Sequence, residues 1–169
     1  MSTILNTNGD TLKLSPLHKD VGGTFYIVTA EWNKDITYAL RDGAVETLRQ
    51  AGVKEEKIRL IPVPGTVELV NAAALCLNLG ETAAVIVIGC VIRGDTPHFD
   101  YVCSIAADGV SRMNARGDAP VIFGVLTVNS LEQAQERAGG VLGNKGAEAA
   151  AAAVEMANLH ASILFTSTK

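Results

Sequence analysis

The run Ala83-Ala84-Val85-Ile86-Val87-Ile88 is hydrocarbon at every position. A strand with one face in water alternates apolar and polar residues, whereas a strand that is apolar throughout must be covered on both faces. The run is far too short to span a membrane, which takes about 20 residues. Thr24–Ala30, Ile58–Val63 and Pro120–Leu126 share its character and are also read as strands.

Between these runs the apolar period changes from strand to helix. From Asn33, read as an N-cap, Ile36, Leu40, Ala44, Leu48 and Ala51 recur at helical spacing until Gly52. Pro64-Gly65 turns the chain, and Thr66 opens a helix that runs to Leu79 and stops at Gly80. From Phe99 onward, Val102, Ile105, Ala106, Gly109, Val110 and Met113 share one face. Ser130-Leu131-Glu132-Gln133 fits a capping box, and its helix fades at Gly139-Gly140. Gly143-Asn144-Lys145-Gly146 reads as a tight loop before an alanine-rich helix, whose run Ala149–Ala153 suits close helix packing.

Buried strands alternating with helices predict an α/β protein: a three-layer α/β/α sandwich around a central four-stranded parallel sheet, with right-handed crossovers and a flavodoxin-like layout. The expectation is one domain, 1–169, that begins with a polar N-terminal segment, 1–23. A chain of this length buries a substantial core.

With 48% hydrophobic and 19% charged residues and a net charge of −4, the overall field repels nucleic acid and anionic membrane. A local arginine can still hold a small anion. Cys76, Cys90 and Cys103 are odd in number, lack C-x-x-C spacing and sit among apolar residues, so buried free thiols in a reducing compartment are expected. His18, His98 and His160 lack metal-ligand spacing, and no metal site is expected. The N-terminal sequence lacks the basic region and apolar core of a secretion signal. No Walker loop, G-x-G-x-x-G, G-x-S-x-G or C-x-x-C motif occurs.

In such folds ligands bind beyond the carboxyl ends of the strands. The tips are Glu31-Trp32-Asn33, Pro64–Glu68, Gly89–His98 and Thr127–Ser130. Trp32 is either an aromatic packed over the sheet end or a platform for a planar ring. Thr66 either caps its helix or, with Glu68 in the same first turn, binds hydroxyl groups of a polyol. Gly94-Asp95-Thr96 is either an ordinary turn or a cradle offering backbone N–H groups to an anion. His98, at the start of a helix whose dipole opposes imidazolium, is either a capping residue or a proton-transfer group. Arg93, Arg137 and Lys145 read as surface charges by default, and Phe123 as core.

Beyond these physical readings, Gly89-Cys90-Val91-Ile92-Arg93-Gly94-Asp95-Thr96-Pro97-His98-Phe99-Asp100-Tyr101 resembles the signature of the lumazine synthase family. Pro64-Gly65-Thr66-Val67-Glu68, Phe123-Gly124-Val125-Leu126-Thr127, Glu136-Arg137-Ala138-Gly139 and Gly143-Asn144-Lys145-Gly146 resemble further family blocks in the same order. The resemblance extends from Phe25 to Leu159.

It implies condensation of 5-amino-6-(ribitylamino)uracil with 3,4-dihydroxy-2-butanone 4-phosphate to 6,7-dimethyl-8-ribityllumazine, phosphate and water, without metal or organic cofactor. It further implies that Trp32 stacks on the pyrimidine and that Cys90, Val91 and Ile92 read the uracil edge. Thr66, Val67, Glu68 and Lys145 hold the ribityl chain. Asp95 and Thr96 hold the phosphate with Arg137 as clamp, His98 moves protons, and Phe123 closes the wall. Arg93 receives no contact. Val141 and Leu142 stand where relatives often carry lysine or histidine, which puts more of the phosphate binding on Arg137.

The resemblance also implies a cytoplasmic homo-oligomer, a pentamer or a 60-subunit icosahedral shell, with the 1–23 segment pairing with a neighbouring subunit, Phe123, Arg137 and Lys145 contributed by a neighbouring subunit, and riboflavin synthase as a further partner. Two other roles fit the same residues: a module that binds a lumazine or flavin without catalysis, and a structural cage.

Overall fold

The computed structural model describes residues 14–166. Its centre is a parallel sheet of β1 (Thr24–Ala30), β2 (Ile58–Val63), β3 (Thr82–Ile92) and β4 (Val121–Val128), in the order β2-β1-β3-β4. The connecting helices are α1 (Lys34–Gln50), α2 (Glu68–Asn78), α3 (His98–Arg116), α4 (Leu131–Arg137) and α5 (Lys145–Thr166).

Strand alternation sorts the core into two layers. Phe25, Ile27, Ala84, Ile86 and Ile88 face Leu40, Ala44 and Leu48 of α1 and the alanines of α5. Tyr26, Val28, Val85 and Val87 face Leu69 and Ala73 of α2 and Val110 and Met113 of α3. The inner strands are therefore apolar at both parities, as the uninterrupted runs require. The three-layer reading and its four-stranded parallel sheet are what the structure has.

The register positions the site. β1 pairs with β3 only as far as Thr29 against Ile88, whereas β4 continues beside β3 to Ile92 against Val128. β3 thus runs four residues further at its carboxyl end than the sequence reading, because β4 carries it past the end of β1. Gly89 lies inside the strand rather than at its end. A β-carbon there would sit 2.9 Å from Thr66 Oγ1, so the glycine makes room for the loop ahead of α2.

Several local expectations change. Asn33 precedes α1 but its side chain does not cap it; the amide is used across the sheet instead. α2 begins at Glu68, with Val67 at the cap position and no side-chain cap, so Thr66 neither opens nor caps the helix. Ser130 does cap α4, accepting from Gln133 N at 3.3 Å. Gln133 reaches back to Asn129 N, one residue before the cap. Ile105 of α3 is exposed rather than on the buried stripe. Cys76 and Cys90 are buried, but Cys103 is only partly covered because it sits at the margin of that stripe.

Residues 138–144 form a two-stranded antiparallel ribbon, β5 (Ala138–Gly140) and β6 (Gly143–Asn144), where the sequence suggested a loop. Asn144 ends the ribbon and caps α5: its Oδ1 accepts from Gly146 N at 2.9 Å and Ala147 N at 3.1 Å, and its Nδ2 donates to Ala39 O of α1. α1 accommodates it at Gly43, where a β-carbon would lie 2.5 Å from the amide.

Of the N-terminal segment, residues 1–13 lie outside the described residues. Residues 14–23 run over α1 and α5 of their own chain. Leu17 N donates to Ala51 O, Asn158 exchanges hydrogen bonds with His18 and Pro16, and Ser15 bonds Glu155.

Candidate active site

The carboxyl ends of β1, β2 and β3 open into one cleft of about 560 Å3. It lies where β1 and β3 are neighbours but their onward connections run to opposite sides of the sheet, the crevice that parallel α/β sheets offer to ligands. Three loops build its walls.

The first follows β1. Glu31 N and Trp32 N donate to Val63 O and Pro64 O of the neighbouring loop, so the turn is held to the β2 tip by its backbone. The Trp32 ring is left free of the core, and the residue is 74% exposed at the rim of the cleft. This overturns the reading of Trp32 as an aromatic packed on the sheet end, since the bonds that fix its backbone point it away from the layers.

The second wall is Pro64–Glu68. Thr66 is buried against Gly89, while Glu68 is exposed at the first turn of α2. Its Oε2 comes within 3.0 Å of a β-carbon placed on Gly65, so the carboxylate folds back over the loop into the cleft mouth. Val67 completes this wall.

The third wall is the overhang of β3 and the turn after it. Cys90, Val91 and Ile92 line the floor, and Gly94, Thr96 and His98 line the lip. His98 is the first residue of α3 and is solvent-exposed. Asp95 lies in the same exposed turn but its side chain does not line the cleft.

Arg93, unassigned from the sequence, braces this turn. Its backbone N–H donates to Val128 O at 2.9 Å, its Nη2 pairs with Asp100 Oδ1 at 2.9 Å, and its guanidinium lies 4.1 Å from the centre of the Phe99 ring. Asn33 and Phe99 line the cleft as well; the sequence placed Asn33 at a strand tip but gave neither residue a role in the site. For Asn33 the signal was present, as a residue tolerant of left-handed backbone directly after a strand tip.

Phe123, Arg137 and Lys145 are not among the lining residues of this cleft. Phe123 is 40% exposed, not core. It sits on β4, the edge of the sheet, with no further strand among the described residues to cover it. Arg137 ends α4, with Nη1 donating to Gln133 O at 2.9 Å and standing 3.4 Å from Glu136. Lys145 opens α5 in a close pair with Glu148, Nζ to Oε1 at 2.6 Å, with both side chains mostly covered. The pairing of Ala138 with Asn144 brings the Arg137 and Lys145 ends of the ribbon together. One chain thus holds a cleft with an aromatic, a carboxylate, an open strand edge and a histidine, while Phe123 on β4 and the Arg137–Lys145 pair of ribbon ends lie outside it.

Among the described residues, no group of three or more His, Cys, Asp or Glu side chains converges as a metal ion would need, and no helix is long and apolar enough to cross a membrane.

Comparison with known proteins follows the same residues. A family model described as 6,7-dimethyl-8-ribityllumazine synthase matches residues 22–161. A protein of that description from Bacteroides fragilis is 54% identical over 132 residues, covering 78% of this chain and 92% of its own length. One from Phocaeicola vulgatus is 51% identical over 132 residues, with 78% and 79% covered. One from Porphyromonas gingivalis is 53% identical over 133 residues, with 79% and 83% covered.

Proposed function

The chain belongs to the 6,7-dimethyl-8-ribityllumazine synthase family, and on that premise we propose that its cleft condenses 5-amino-6-(ribitylamino)uracil with 3,4-dihydroxy-2-butanone 4-phosphate, giving 6,7-dimethyl-8-ribityllumazine, phosphate and water. The observation that carries this reading is the exposed Trp32 ring at the rim of a cleft floored by Cys90–Ile92, the stretch of β3 that has no β1 strand beside it. A flat face beside a row of backbone donors and acceptors suits a planar heterocycle with polar edges.

In this reading Trp32 stacks on the pyrimidine while the backbone of Cys90, Val91 and Ile92 bonds its edge. Thr66, Val67 and Glu68 take the ribityl hydroxyls, and Lys145 reaches the same chain. The turn at Asp95 and Thr96 offers backbone N–H groups to the phosphate, and Arg137 clamps it with a guanidinium fork. As the amine attacks the ketone, His98 accepts a proton and returns it to the departing oxygen. Arg137 stabilises the charge that develops as phosphate leaves. Holding two substrates together supplies a large part of the acceleration by itself.

Phe123, Arg137 and Lys145 reach a cleft from the adjacent subunit, and their absence from this chain's own cleft supports that arrangement. A ring of heterologous contacts, closing as a pentamer, brings one edge against the next cleft. Exposed Leu75, Leu79, Tyr101 and Ile105 on α2 and α3 suit burial in such contacts. Packing of pentamers into a 60-subunit shell, pairing of the 1–23 segment with a neighbour within a single-domain subunit, association with riboflavin synthase and a cytoplasmic location complete the proposal.

The test is direct. The purified protein, incubated with both substrates, is expected to generate the absorbance and fluorescence of the lumazine with release of inorganic phosphate. Binding of added lumazine without turnover of the substrates would make it a carrier instead.

A further inference from the structure

Asn33 and Glu81 are the non-glycine residues with positive φ among the described residues, and Asn33, at φ 58° and ψ 46°, stands directly behind Trp32. A left-handed residue immediately before a helix is uncommon, and the usual reward, a side-chain cap on the helix, is absent. Only its carbonyl serves α1, accepting from Ile36 N at 2.9 Å and Thr37 N at 3.0 Å. The side chain turns the other way. Its Nδ2 donates to Cys90 O at 2.8 Å, across the crevice and 57 residues along the chain.

That acceptor lies on the stretch of β3 where β1 has ended. The last β1–β3 pair is Thr29 with Ile88, so the β1 side of Cys90 has no strand neighbour. The Asn33 amide takes the place of the missing strand at one point and ties the Trp32 turn to the peptide plane joining Cys90 and Val91. The left-handed backbone is what lets one residue start α1 and reach β3 with its side chain.

We propose that Asn33 is a positioning residue for the planar substrate, fixing the Trp32 ring relative to the backbone edge at Cys90–Ile92. The inference rests on the pyrimidine reading of this cleft. It makes the spacing between stacking face and edge depend on the Asn33 side chain as well as on the backbone bonds that hold the turn to the β2 tip.

Trp32 is the only tryptophan in the chain, so its fluorescence reports this turn without background. Two variants separate backbone from side chain. Asn33→Gly keeps the left-handed conformation and deletes the tie; Asn33→Asp keeps shape and conformation but replaces the donor with an acceptor. Time-resolved anisotropy of the assembled enzyme is expected to show a larger fast-decaying component in both variants. The KM for 5-amino-6-(ribitylamino)uracil is expected to rise roughly five- to tenfold, the scale of one such hydrogen bond, with the KM for the phosphate substrate nearly unchanged.

Unchanged anisotropy in both folded variants overturns the proposal. So does an equal rise in both KM values accompanied by a lower melting temperature, which marks a general structural role. Should the aspartate variant fail to assemble, the glycine variant alone decides. The anisotropy needs no substrate, so an inactive wild-type protein would sink the functional reading while leaving Asn33 separately judged.

Discussion

Gly146 lies against the main-chain carbonyl of Leu40 so closely that a β-carbon at 146 would overlap it. The contact sets the approach of α5 to α1, and Ala149, Ala150, Ala153 and Ala157 carry the same close packing further along α5. A carbonyl cannot swing aside as a flexible side chain can. Gly146→Ala is therefore expected to lower stability by about 2–4 kcal/mol, measured by denaturant unfolding. A change within experimental error would mean that α5 can slide without cost.

Arg137→Ala is expected to raise the KM for the phosphate substrate by about tenfold or more and leave the pyrimidine KM nearly unchanged. Arg137→Lys should recover only part, because lysine cannot present two parallel donors. Equal losses for both substrates in steady-state kinetics would remove Arg137 from phosphate binding.

His98→Ala should reduce kcat by roughly a hundredfold to several thousandfold while substrate binding changes little, the range for one general acid–base group. Single-turnover measurements isolate the chemical step. An unchanged rate there would exclude proton transfer by His98.

Mixed oligomers test whether sites are shared. Co-expressed His98→Ala and Arg137→Ala chains should form some clefts carrying an intact His98 from one subunit and an intact Arg137 from the next, and those clefts should turn over like the wild type. Verified mixed particles with only the mean activity of the two parents would place the whole site within one chain.

Burial pushes the Cys90 thiol up to about 11, from an ordinary 9.0. Between these values the unfolded chain releases the proton while the native chain keeps it, so the native state binds more protons and stability falls as pH rises. This contribution is full below about pH 9 and is lost on approaching 11, a loss of about 2–3 kcal/mol. Urea unfolding across this range should show a steeper alkaline decline for the wild type than for Cys90→Ala. Parallel declines would mean that the thiol titrates normally.

The sheet was legible because burial on both faces leaves an unmistakable mark: Val85 through Ile88 cannot sit anywhere else. The end of β3 was less legible, since Gly89 looks like a stop. Both the β4 pairing that carries the strand past it and the Thr66 contact that requires a glycine there come from distant parts of the chain. Ser130 announced its helix through a local hydrogen bond. Asn33 and Asn144 did not reveal their partners, because their side chains bond backbone groups 57 and 105 residues away. Phe123 misled for a related reason: its strand has the composition of an interior strand but lies at the sheet edge. The residue types at the strand tips pointed to the cleft. Which tips meet within one chain is a matter of topology that spacing alone does not encode.

The overhang of β3 beyond β1 has a bearing on how such a site can change over generations. Recognition carried by main-chain groups does not depend on what hangs from them. Substitutions at the partly buried Val91 and Ile92 can thus alter the lining of the pocket while the pattern of donors and acceptors stays the same. Proline is the exception, since it deletes a donor and disrupts the pairing with β4. A lineage can therefore drift widely in side chains along this edge and keep its substrate.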